Sequence, residues 1–347
     1  MKIIFLSRLY HPHVGGVEKH VEEISKILST KHQVTIVTEQ HDPDLPLYEV
    51  RPEAAIYRIP VSGISEKAKK WIVWQWFWHH RQLMGESDII HAHDVFFWVL
   101  PFRFLYPFKK YFITFHGYEG AALPGQRQIL WHKIGEWFTG GNICIGDFHH
   151  KWYGTRSTIV SYGAVTLNTG NRGPKTTKAV FIGRLAADTG LMDYLVAAKT
   201  LKVSLDVFGD GPLKAPAQEF AKKNHLSVNF FGFVPEAANR LPKYSVAFVS
   251  RYLGILETLS AQVPVIAHYD SAIKQDYLQL APFAKFIDIC GGPSKIVAAY
   301  IHTRRSPQRT QKRILQGYNW VKGQTWPVLA GQYEQLWRLK NPPLKSP

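Results

Sequence analysis

The sequence predicts an α/β protein of two facing Rossmann-like domains, each built on a parallel sheet. The chain has 347 residues, more than a single hydrophobic core usually holds. In both halves, short apolar runs end in glycine-containing loops that lead into helical patterns. A segment rich in threonine, asparagine, glycine and proline separates the halves. These observations indicate two successive domains of alternating strands and helices.

We place the domain boundaries at this polar segment and near the C-terminus. Residues 1–165 form the predicted N-terminal domain, 166–177 the linker and 178–322 the C-terminal domain. Residues 323–347 are expected to form a terminal helix and a charged tail. The helix carries an apolar stripe made of Trp326, Leu329, Tyr333, Leu336 and Trp337. This stripe predicts that the helix packs back on the N-terminal domain.

The N-terminal half opens with a buried strand and a glycine pair. Residues 2–7 are a mainly apolar run, typical of a strand covered on both faces, and an amphipathic helix is predicted over 17–29. Gly15 and Gly16 lie between them, where glycine lets a ligand phosphate approach the backbone closely. Glycines at such turns also serve geometry alone, so both interpretations stay open here.

Histidines follow two further predicted strands of this half. The first strand ends with His91, His93 and Asp94. The second, at 111–115, is followed by His116, which we favour as a functional residue because the carboxyl ends of parallel strands border the ligand crevice. A metal site at the first strand is disfavoured. His91 and His93 lie close together on one strand, and no third ligand residue follows at a recognisable spacing.

The second half repeats the strand and helix pattern. Strands are predicted at 179–183, 205–208, 227–231 and 245–249, and helices at 191–201 and 215–224. Arg184 follows the first of these strands, Gly209 the second, and Phe233 with Val234 the third. Because the strands are predicted to be parallel, these loops belong to one edge of a sheet, the edge at which such proteins bind ligands.

The stretch after residue 249 contains the most interpretable glutamate of the chain. We expect Gly254 to turn the backbone into a short helix, which Val263 and Pro264 end. The free N–H groups at the start of that helix suit a phosphate, and Glu257, one turn in, suits the hydroxyls of a ribose. The alternative interpretation is a solvated glutamate favoured by the helix dipole.

The charge and the aromatic residues indicate an anionic partner. The chain has 42 basic and 26 acidic residues, a net charge of +16, and eleven tryptophans. Basic and aromatic residues mix at 65–84 and 96–111, which predicts contact with an anionic membrane surface through residues 67–112. As a helix, the first patch places Trp71, Trp74, Trp78 and Arg81 on one side. A core helix with a basic flank explains that patch equally well.

Other partners and compartments are disfavoured. Nucleic acid is not expected, because no basic helix, zinc spacing or RNA-binding aromatic motif accompanies the charge. Two cysteines, Cys144 and Cys290, are too few for a disulfide framework and indicate a reducing compartment. The first apolar run is too short for a signal peptide, and no window is apolar enough to span a membrane. We expect a cytoplasmic protein, peripheral on the inner face of the cell membrane.

Together, the motifs resemble those of the GT-B glycosyltransferases of family 4, which are retaining and use nucleotide sugars. Each piece is weak alone, but the pieces stand in the family's order and span nearly the whole chain. They are Gly-Gly-Val at 15–17, His116-Gly, Tyr162-Gly163-Ala, Phe-Ile-Gly-Arg-Leu at 181–185, Gly-Asp-Gly-Pro at 209–212, Phe-Phe-Gly-Phe-Val at 230–234, Leu256-Glu257 with Pro264-Val-Ile-Ala, and Tyr-Asn-Trp near 320. The resemblance implies a GT-B fold whose C-terminal helix crosses back to the N-terminal domain.

The resemblance also implies catalytic roles for three residues. Arg184 would bind the donor diphosphate, Glu257 the ribose hydroxyls, and His116 would lie near the donor sugar. It implies neither metal nor cofactor, because Arg184 and the helix mouth at Gly254 stabilise the departing diphosphate. The implied donor-binding set is Gly15, Gly16, Arg184, Asp188, Thr189, Gly209, Phe233, Val234, Tyr252, Leu253, Gly254, Ile255 and Glu257.

Two positions depart from the family's pattern. The family usually has a lysine a few residues after the arginine, where this chain has Asp188 and Thr189. It also has a first glutamate eight positions before the second, where this chain has Val249. We expect Tyr252 or Asp188 to take over part of the sugar contact that the first glutamate makes.

The expected function is the transfer of a hexosyl group from a nucleoside diphosphate sugar to a hydroxyl of a glycan or glycolipid acceptor, with retention. The C-terminal half would bind the donor and the N-terminal half the acceptor. The alternatives are a catalytically idle nucleotide-sugar or glycan binder, another GT-B enzyme such as a phosphorylase or a sugar-nucleotide epimerase, and a membrane-associated scaffold.

Overall fold

A computed structural model describes residues 1–118, 123–168 and 176–338. Residues 169–175 of the predicted linker and the tail from residue 339 lie outside the described residues. The strands are β1 (Lys2–Ser7), β2 (Gln33–Glu39), β3 (Tyr48–Arg51), β4 (Ala54–Ile59), β5 (Ile89–His93), β6 (Lys110–Phe115), β7 (Asn142–Ile145), β8 (Ile159–Ser161), β9 (Ala179–Ile182), β10 (Leu205–Phe208), β11 (Val228–Gly232), β12 (Val246–Phe248), β13 (Val265–His268) and β14 (Asp288–Cys290).

Helices connect most of these strands, as expected for an α/β protein. The α-helices are α1 (Gly16–Leu28), α2 (Glu66–His79), α3 (Arg81–Glu86), α4 (Leu100–Leu105), α5 (Gln126–Trp137), α6 (Phe148–Tyr153), α7 (Leu191–Leu201), α8 (Lys214–Lys223), α9 (Tyr252–Ser260), α10 (Ala272–Gln279), α11 (Pro293–Arg305), α12 (Pro307–Val321) and α13 (Trp326–Arg338).

The described strands form two sheets, and the chain divides into two compact units with one sheet each. The first unit contains Met1–Tyr118, Pro124–Ser161 and α13, and its strand order is β3-β4-β2-β1-β5-β6-β7-β8. The second unit contains Tyr162–Thr325, with strand order β11-β10-β9-β12-β13-β14. The predicted α/β architecture with two parallel-dominated sheets is therefore confirmed.

One strand pair departs from the predicted parallel pattern. β3 pairs antiparallel with β4 at the edge of the first sheet, opposing Val50 to Ala55. β3 is not among the strands that the sequence predicts. Val50 is 70% exposed, so β3 lacks the continuous apolar run by which the buried strands of this chain are identified.

The central strands are buried on both faces. In the first unit, β1 lies between β2 and β5, and Phe5 and Leu6 are fully buried. In the second unit, β9 lies between β10 and β12, and Ala179 and Val180 are fully buried. The apolar runs that identify these strands in the sequence are thus explained by helices that cover both faces of each sheet.

The chain returns to the first unit through α13, which packs against α1. Trp337 is buried, and its indole N–H donates to His91 Nδ1 over 3.0 Å. The Tyr333 hydroxyl lies 2.8 Å from His20 Nε2 and 2.8 Å from the Thr114 hydroxyl. The predicted apolar stripe of the terminal helix is therefore buried in the first unit, and the polar atoms of Tyr333 and Trp337 have partners there.

The tryptophan-rich segment forms two helices, α2 and α3, rather than one. They are separated at His80, whose ψ of 25° leaves the helical region and whose ring stacks on Trp76 with centroids 3.9 Å apart. No described α-helix combines the length and the apolarity that crossing a bilayer requires.

Helix α2 has a buried face and an exposed face. Val73 and Phe77 lie in the core of the first unit. Trp71 is 71% exposed and Trp78 is 54% exposed. Trp74 lies between these extremes, and its indole N–H donates to a backbone carbonyl at 2.9 Å. The core-helix interpretation is therefore confirmed for one face of α2, while contact of the exposed indole rings with a membrane surface stays a prediction.

The first unit contains several buried or half-buried histidines, namely His20, His91, His93, His116, His132 and His149. Burial disfavours the charged imidazolium, which lowers the pKa of His20 to about 3 and that of His132 to about 4. It holds the pKa of the other four well below the ordinary range. The interior of this unit is therefore stable only while these rings are neutral.

We predict that Trp337→Ala destabilises the protein by about 3–5 kcal/mol, because it removes a buried indole and leaves a cavity beside His91. Urea denaturation followed by circular dichroism measures the change. Val328→Ala, a half-exposed position on the same helix, is the matched control and should cost less than about 1 kcal/mol. Equal effects of the two substitutions would contradict the packing described for α13.

We also predict acid unfolding that begins below about pH 6.5. The unfolded chain takes up protons on histidines there, and the folded chain does not, so stability falls as pH falls. Each such ring contributes about 1.4 kcal/mol per pH unit, which is large beside a total stability of about 5–15 kcal/mol. Tryptophan fluorescence during a pH titration measures the transition.

The control for this titration is His79→Gln, because His79 is exposed and its replacement should leave the pH profile unchanged. Replacement of the buried His93 by Gln should make the stability depend less steeply on pH, whatever its effect at neutral pH. A wild-type protein as stable at pH 4.5 as at pH 7 would contradict the neutral state of these rings.

Candidate functional site

The carboxyl edge of the second sheet gathers the predicted donor-binding loops. β9 and β12 are parallel neighbours, with Phe181 opposite Phe248. Their chains leave the sheet at the same edge, so the loop of residues 183–190 and the start of α9 lie beside each other. The loops after β10 and β11 leave at this edge as well, because both strands run parallel to β9. This is the edge where open α/β sheets bind ligands.

Asp188 connects two arginines at this edge. Its carboxylate accepts from an Arg184 NH2 group at 3.2 and 3.3 Å. An NH2 group of Arg251 also donates to the Asp188 carboxylate, in close contact. The Arg184 side chain is 68% exposed and that of Arg251 is 35% exposed. Two guanidinium groups are therefore held beside one carboxylate, with surface left over for a ligand.

A buried lysine contacts the backbone of the same loop. Lys274, on α10, is fully buried, and its ammonium group donates to the backbone carbonyl of Asp188. Burial and the nearby Arg251 lower the pKa of Lys274 to about 8, opposed by the carboxylates of Asp270 and Asp193. Below that pH the lysine adds a third positive charge to the group.

Helix α9 begins earlier than the sequence predicts. It starts at Tyr252, after Arg251 in an extended conformation, so Gly254 is its third residue and not the turn before it. A Cβ on Gly254 would meet Val249 at 3.5 Å, an ordinary van der Waals contact. The expected sharp turn at Gly254 is therefore wrong, because the backbone turns two residues earlier.

Tyr252 and Asp188 have local partners that bear on their predicted roles. Tyr252 is buried, and its hydroxyl donates to the backbone carbonyl of Tyr277 over 2.6 Å. In return, the Tyr277 hydroxyl accepts from the backbone N–H of Tyr252 over 2.9 Å. These contacts fix the first turn of α9. Asp188 is occupied with two arginines. The predicted sugar contact of Tyr252 or Asp188 stays a prediction. In the structure, Asp188 holds the two arginines and Tyr252 is bonded to Tyr277.

Glu257 lies on the second turn of α9 and is half-buried. Leu253 is half-buried and Ile255 fully buried, so the first turn of the helix offers mainly backbone N–H groups to a ligand. Those groups and the positive end of the helix dipole favour an anion. Glu257, one turn further along, stays the predicted acceptor of hydrogen bonds from the ribose hydroxyls.

The remaining predicted donor residues of this unit serve different purposes. Thr189 is buried and its hydroxyl donates to the Ala186 carbonyl over 2.7 Å. Gly209 has a φ of 143°, and a Cβ there would collide with the carbonyl of Gly183, so its glycine is required by backbone packing. Phe233 is 53% exposed and Val234 half-buried, which leaves the phenyl ring available to a ligand.

The glycine pair of the first unit lies at the start of α1. Gly15 precedes the helix with a φ of −163°, and Gly16 is its first residue. A Cβ on Gly15 would collide with the carboxylate of Glu18, whose Oε1 lies 2.9 Å from Nδ1 of His13. Gly16 has open space where its Cβ would be. Any residue adopts the φ of position 15, and the Glu18 carboxylate is the far end of a flexible side chain, so the fold does not require glycine there. Position 16 is open to approach.

His116 follows β6, as predicted, and is held by its neighbours. Its backbone N–H donates to the Asp94 carboxylate over 3.0 Å. Its Nε2 lies 2.8 Å from Nδ1 of His93. The ring of His20 is nearly perpendicular to it, with centroids 4.6 Å apart. The His116 ring is thus fixed in orientation and neutral.

The same three histidines are the group, among described residues, whose ring nitrogens have the spacing of metal ligands. One nitrogen from each of His20, His93 and His116 lies within 4.8 Å of the others. The sequence alone disfavours a different set, His91, His93 and Asp94. His91 Nε2 lies 2.8 Å from the Thr114 hydroxyl, which engages it in the sheet.

Sequence reasoning missed Arg251 and Lys274. Both are far along the chain from Asp188, and no periodicity relates them to it. The two departures from the family pattern were a signal for such residues. A chain that lacks the family's lysine would need another residue to supply a cation for the diphosphate. Sequence reasoning also missed the exposed rings of α5, where Trp131 is 38% and Trp137 49% exposed.

Comparison with known proteins gives a consistent result for fold and family. Residues 14–146 match the family model of Glycosyltransferase Family 4. No curated protein matches the sequence. Among solved structures, sucrose-phosphate synthase from Thermosynechococcus elongatus is similar at a TM-score of 0.79 and 16% identity, covering 97% of this chain and 98% of that one.

Two further solved structures extend this similarity. Anabaena HepE, in complex with UDP and glucose, has a TM-score of 0.72 and 13% identity, covering 96% of this chain and 98% of that one. The lipopolysaccharide outer core galactosyltransferase WaaB, in its apo form, has a TM-score of 0.67 and 13% identity, covering 97% and 99%. At these identities the structures establish the fold. The chain therefore has the fold of the GT-B glycosyltransferases, and its residues 14–146 are similar to Glycosyltransferase Family 4.

Proposed function

We propose that the protein transfers a hexosyl group from a nucleoside diphosphate sugar to a hydroxyl of a glycan or lipid-linked acceptor, with retention and without a metal ion. The observation that supports this proposal is the group of Arg184, Asp188 and Arg251, which lies at the carboxyl edge of the second sheet beside the start of α9. A diphosphate needs cations and N–H donors together, and this edge offers both.

In the proposed reaction the acceptor oxygen bonds to the anomeric carbon of the donor sugar. The bond from that carbon to the diphosphate oxygen breaks, its electron pair stays on the diphosphate, and the proton of the acceptor hydroxyl passes to the diphosphate product. Negative charge therefore grows on the leaving group, where Arg184 and the helix mouth stabilise it. Glu257 binds the ribose and orients the donor.

The arginine side chains at the carboxyl edge of the second sheet support the proposal of a reaction without a metal ion. A divalent ion in a transferase neutralises diphosphate charge, and the arginines of this site do the same. UDP is the first nucleotide to test, since the HepE structure contains it. The remaining alternative with an observation behind it is an idle nucleotide-sugar binder, because Val249 stands where the family has a glutamate.

We predict that Arg184→Ala and Glu257→Ala each lower kcat/KM at least about tenfold, since each removes a charged contact to the donor. Activity in excess EDTA should equal that without it. The assay follows release of nucleoside diphosphate from a panel of UDP-, GDP- and ADP-sugars with glycan and lipid-linked acceptors.

The matched control is Arg304→Gln, an exposed arginine in the last turn of α11, which should leave the rate unchanged. Donor binding without turnover across the panel would identify the idle binder. Absence of any donor binding would refute the proposal, and loss of activity in EDTA would refute its metal-free form.

We further propose that the first unit docks on an anionic membrane surface. Ten of the eleven tryptophans belong to this unit. Exposed rings lie on α2, α4 and α5, and Phe108 beside them is 94% exposed. Lys70 lies 5.7 Å from the ring centres of Phe97 and Trp131, and the Arg81 guanidinium 5.5 Å from that of Trp78. Cations beside exposed indoles match a surface of anionic headgroups over acyl chains.

We predict that the wild-type protein binds vesicles of phosphatidylcholine and phosphatidylglycerol, and that the double variant Trp71→Ala with Trp78→Ala binds them roughly tenfold or more weakly. The reason is lost apolar area at the headgroup boundary. Sedimentation with sucrose-loaded vesicles measures the partition coefficient. Leu315→Ala, which removes an exposed apolar side chain of the second unit, is the control. Equal binding by the double variant would contradict this docking surface.

A further inference from the structure

We propose that Arg251 supplies the second cation for the donor diphosphate, with Asp188 aligning it beside Arg184 and the buried Lys274 positioning the Asp188 loop. This inference rests on the proposed function and names residues that the resemblance does not supply. It starts from one contact pattern, in which three basic side chains from three separate elements converge on a single residue.

The charges of this group do not balance by themselves. Arg184 and Arg251 bring two positive charges to Asp188, which brings one negative charge. The positive charge of the buried Lys274 faces the carboxylates of Asp270 and Asp193 and is not counted here. The two arginines therefore leave one positive charge in excess beside the start of α9, which favours an anionic group such as a diphosphate.

Exposure divides the group into binding and positioning residues. The Arg184 and Arg251 side chains are 68% and 35% exposed, so both guanidinium groups can touch a ligand. Lys274 is fully buried and donates to the backbone carbonyl of Asp188. It therefore acts through Asp188 and is a positioning residue.

Arg251 is itself held in place by aromatic and carboxylate contacts. Its guanidinium carbon lies 5.9 Å from the ring centre of Tyr277, while its NH2 group contacts Asp188. Tyr277 is in turn fixed to Tyr252 through two hydrogen bonds. A side chain restrained in this way loses less conformational freedom when it binds a ligand, which favours affinity.

The position that the family's lysine occupies is closed in this chain. Thr189 lies there in sequence, but it is buried and its hydroxyl is bonded to the Ala186 carbonyl. The second cation is instead Arg251, which directly precedes α9, in the region where the family has its glycine-rich loop. The two departures from the family pattern are therefore linked. The positive charge that the family has in the loop after β9 lies, in this chain, in the loop after β12.

The test compares ligands that differ only in the diphosphate. Calorimetry measures Kd for UDP, GDP and ADP and for the corresponding nucleosides, first with the wild-type protein. For the diphosphate that binds, Arg251→Gln should raise Kd by about tenfold or more, the loss expected for one charge-assisted hydrogen bond. Its affinity for the nucleoside should stay unchanged, because the base and ribose contacts remain.

Further variants separate ligand contact from structural support. Arg251→Lys should recover part of the diphosphate affinity, since it restores the charge without the planar fork. Lys274→Met should weaken diphosphate binding and leave nucleoside binding unchanged, which a merely structural loss would not do. Arg304→Gln is the control for net charge and should change neither affinity.

The outcomes distinguish this inference from the proposed function. If the wild-type protein binds a diphosphate and Arg251→Gln binds it equally well, the role of Arg251 is refuted while the proposed function stands. If Arg251→Gln does not fold, Arg251→Lys decides by the same ratio of diphosphate to nucleoside affinity. Failure of the wild-type protein to bind any of the three diphosphates overturns both.

Discussion

The shared carboxylate of Asp188 is the interaction on which the candidate site depends. Two guanidinium groups close together repel each other, and a carboxylate between them offsets that repulsion while fixing their direction. Without it, the exposed Arg184 side chain would sample many rotamers, and ordering it for a ligand would cost conformational free energy. One acidic residue thus holds two basic side chains together, as the proposed diphosphate site requires.

The fold places this carboxylate by way of the strand order in the second sheet. Because β9 lies between β10 and β12, the loop with Asp188 is central at the carboxyl edge and has neighbours on both sides. The close approach of Gly209 to the Gly183 carbonyl holds the start of that loop on one side. Ser250, after β12, donates to the Thr189 carbonyl over 2.8 Å and holds its end on the other.

The sequence predicts the elements of this arrangement better than its contacts. Buried parallel strands such as β1 and β9 carry unmistakable apolar runs, and the glycine loops after them mark the ligand edge. The start of α9 was misplaced because a tertiary hydrogen bond, from the Tyr252 N–H to the Tyr277 hydroxyl, sets the helix boundary. The contact of Arg251 with Asp188 spans 63 residues, and no local pattern encodes such a pair.

The two units differ in their exposed indole rings, and this difference bears on their separate roles. In the second unit, Trp320 is half-buried, and Phe231 and Phe233 are exposed phenyl rings. In the first unit, Trp71 and Trp78 are exposed, and the Trp78 ring has the Arg81 guanidinium beside it. Exposed indoles lower the solubility of the free protein. Their retention beside cations is explained if the first unit binds an amphipathic partner, as a lipid-linked acceptor on an anionic surface would be.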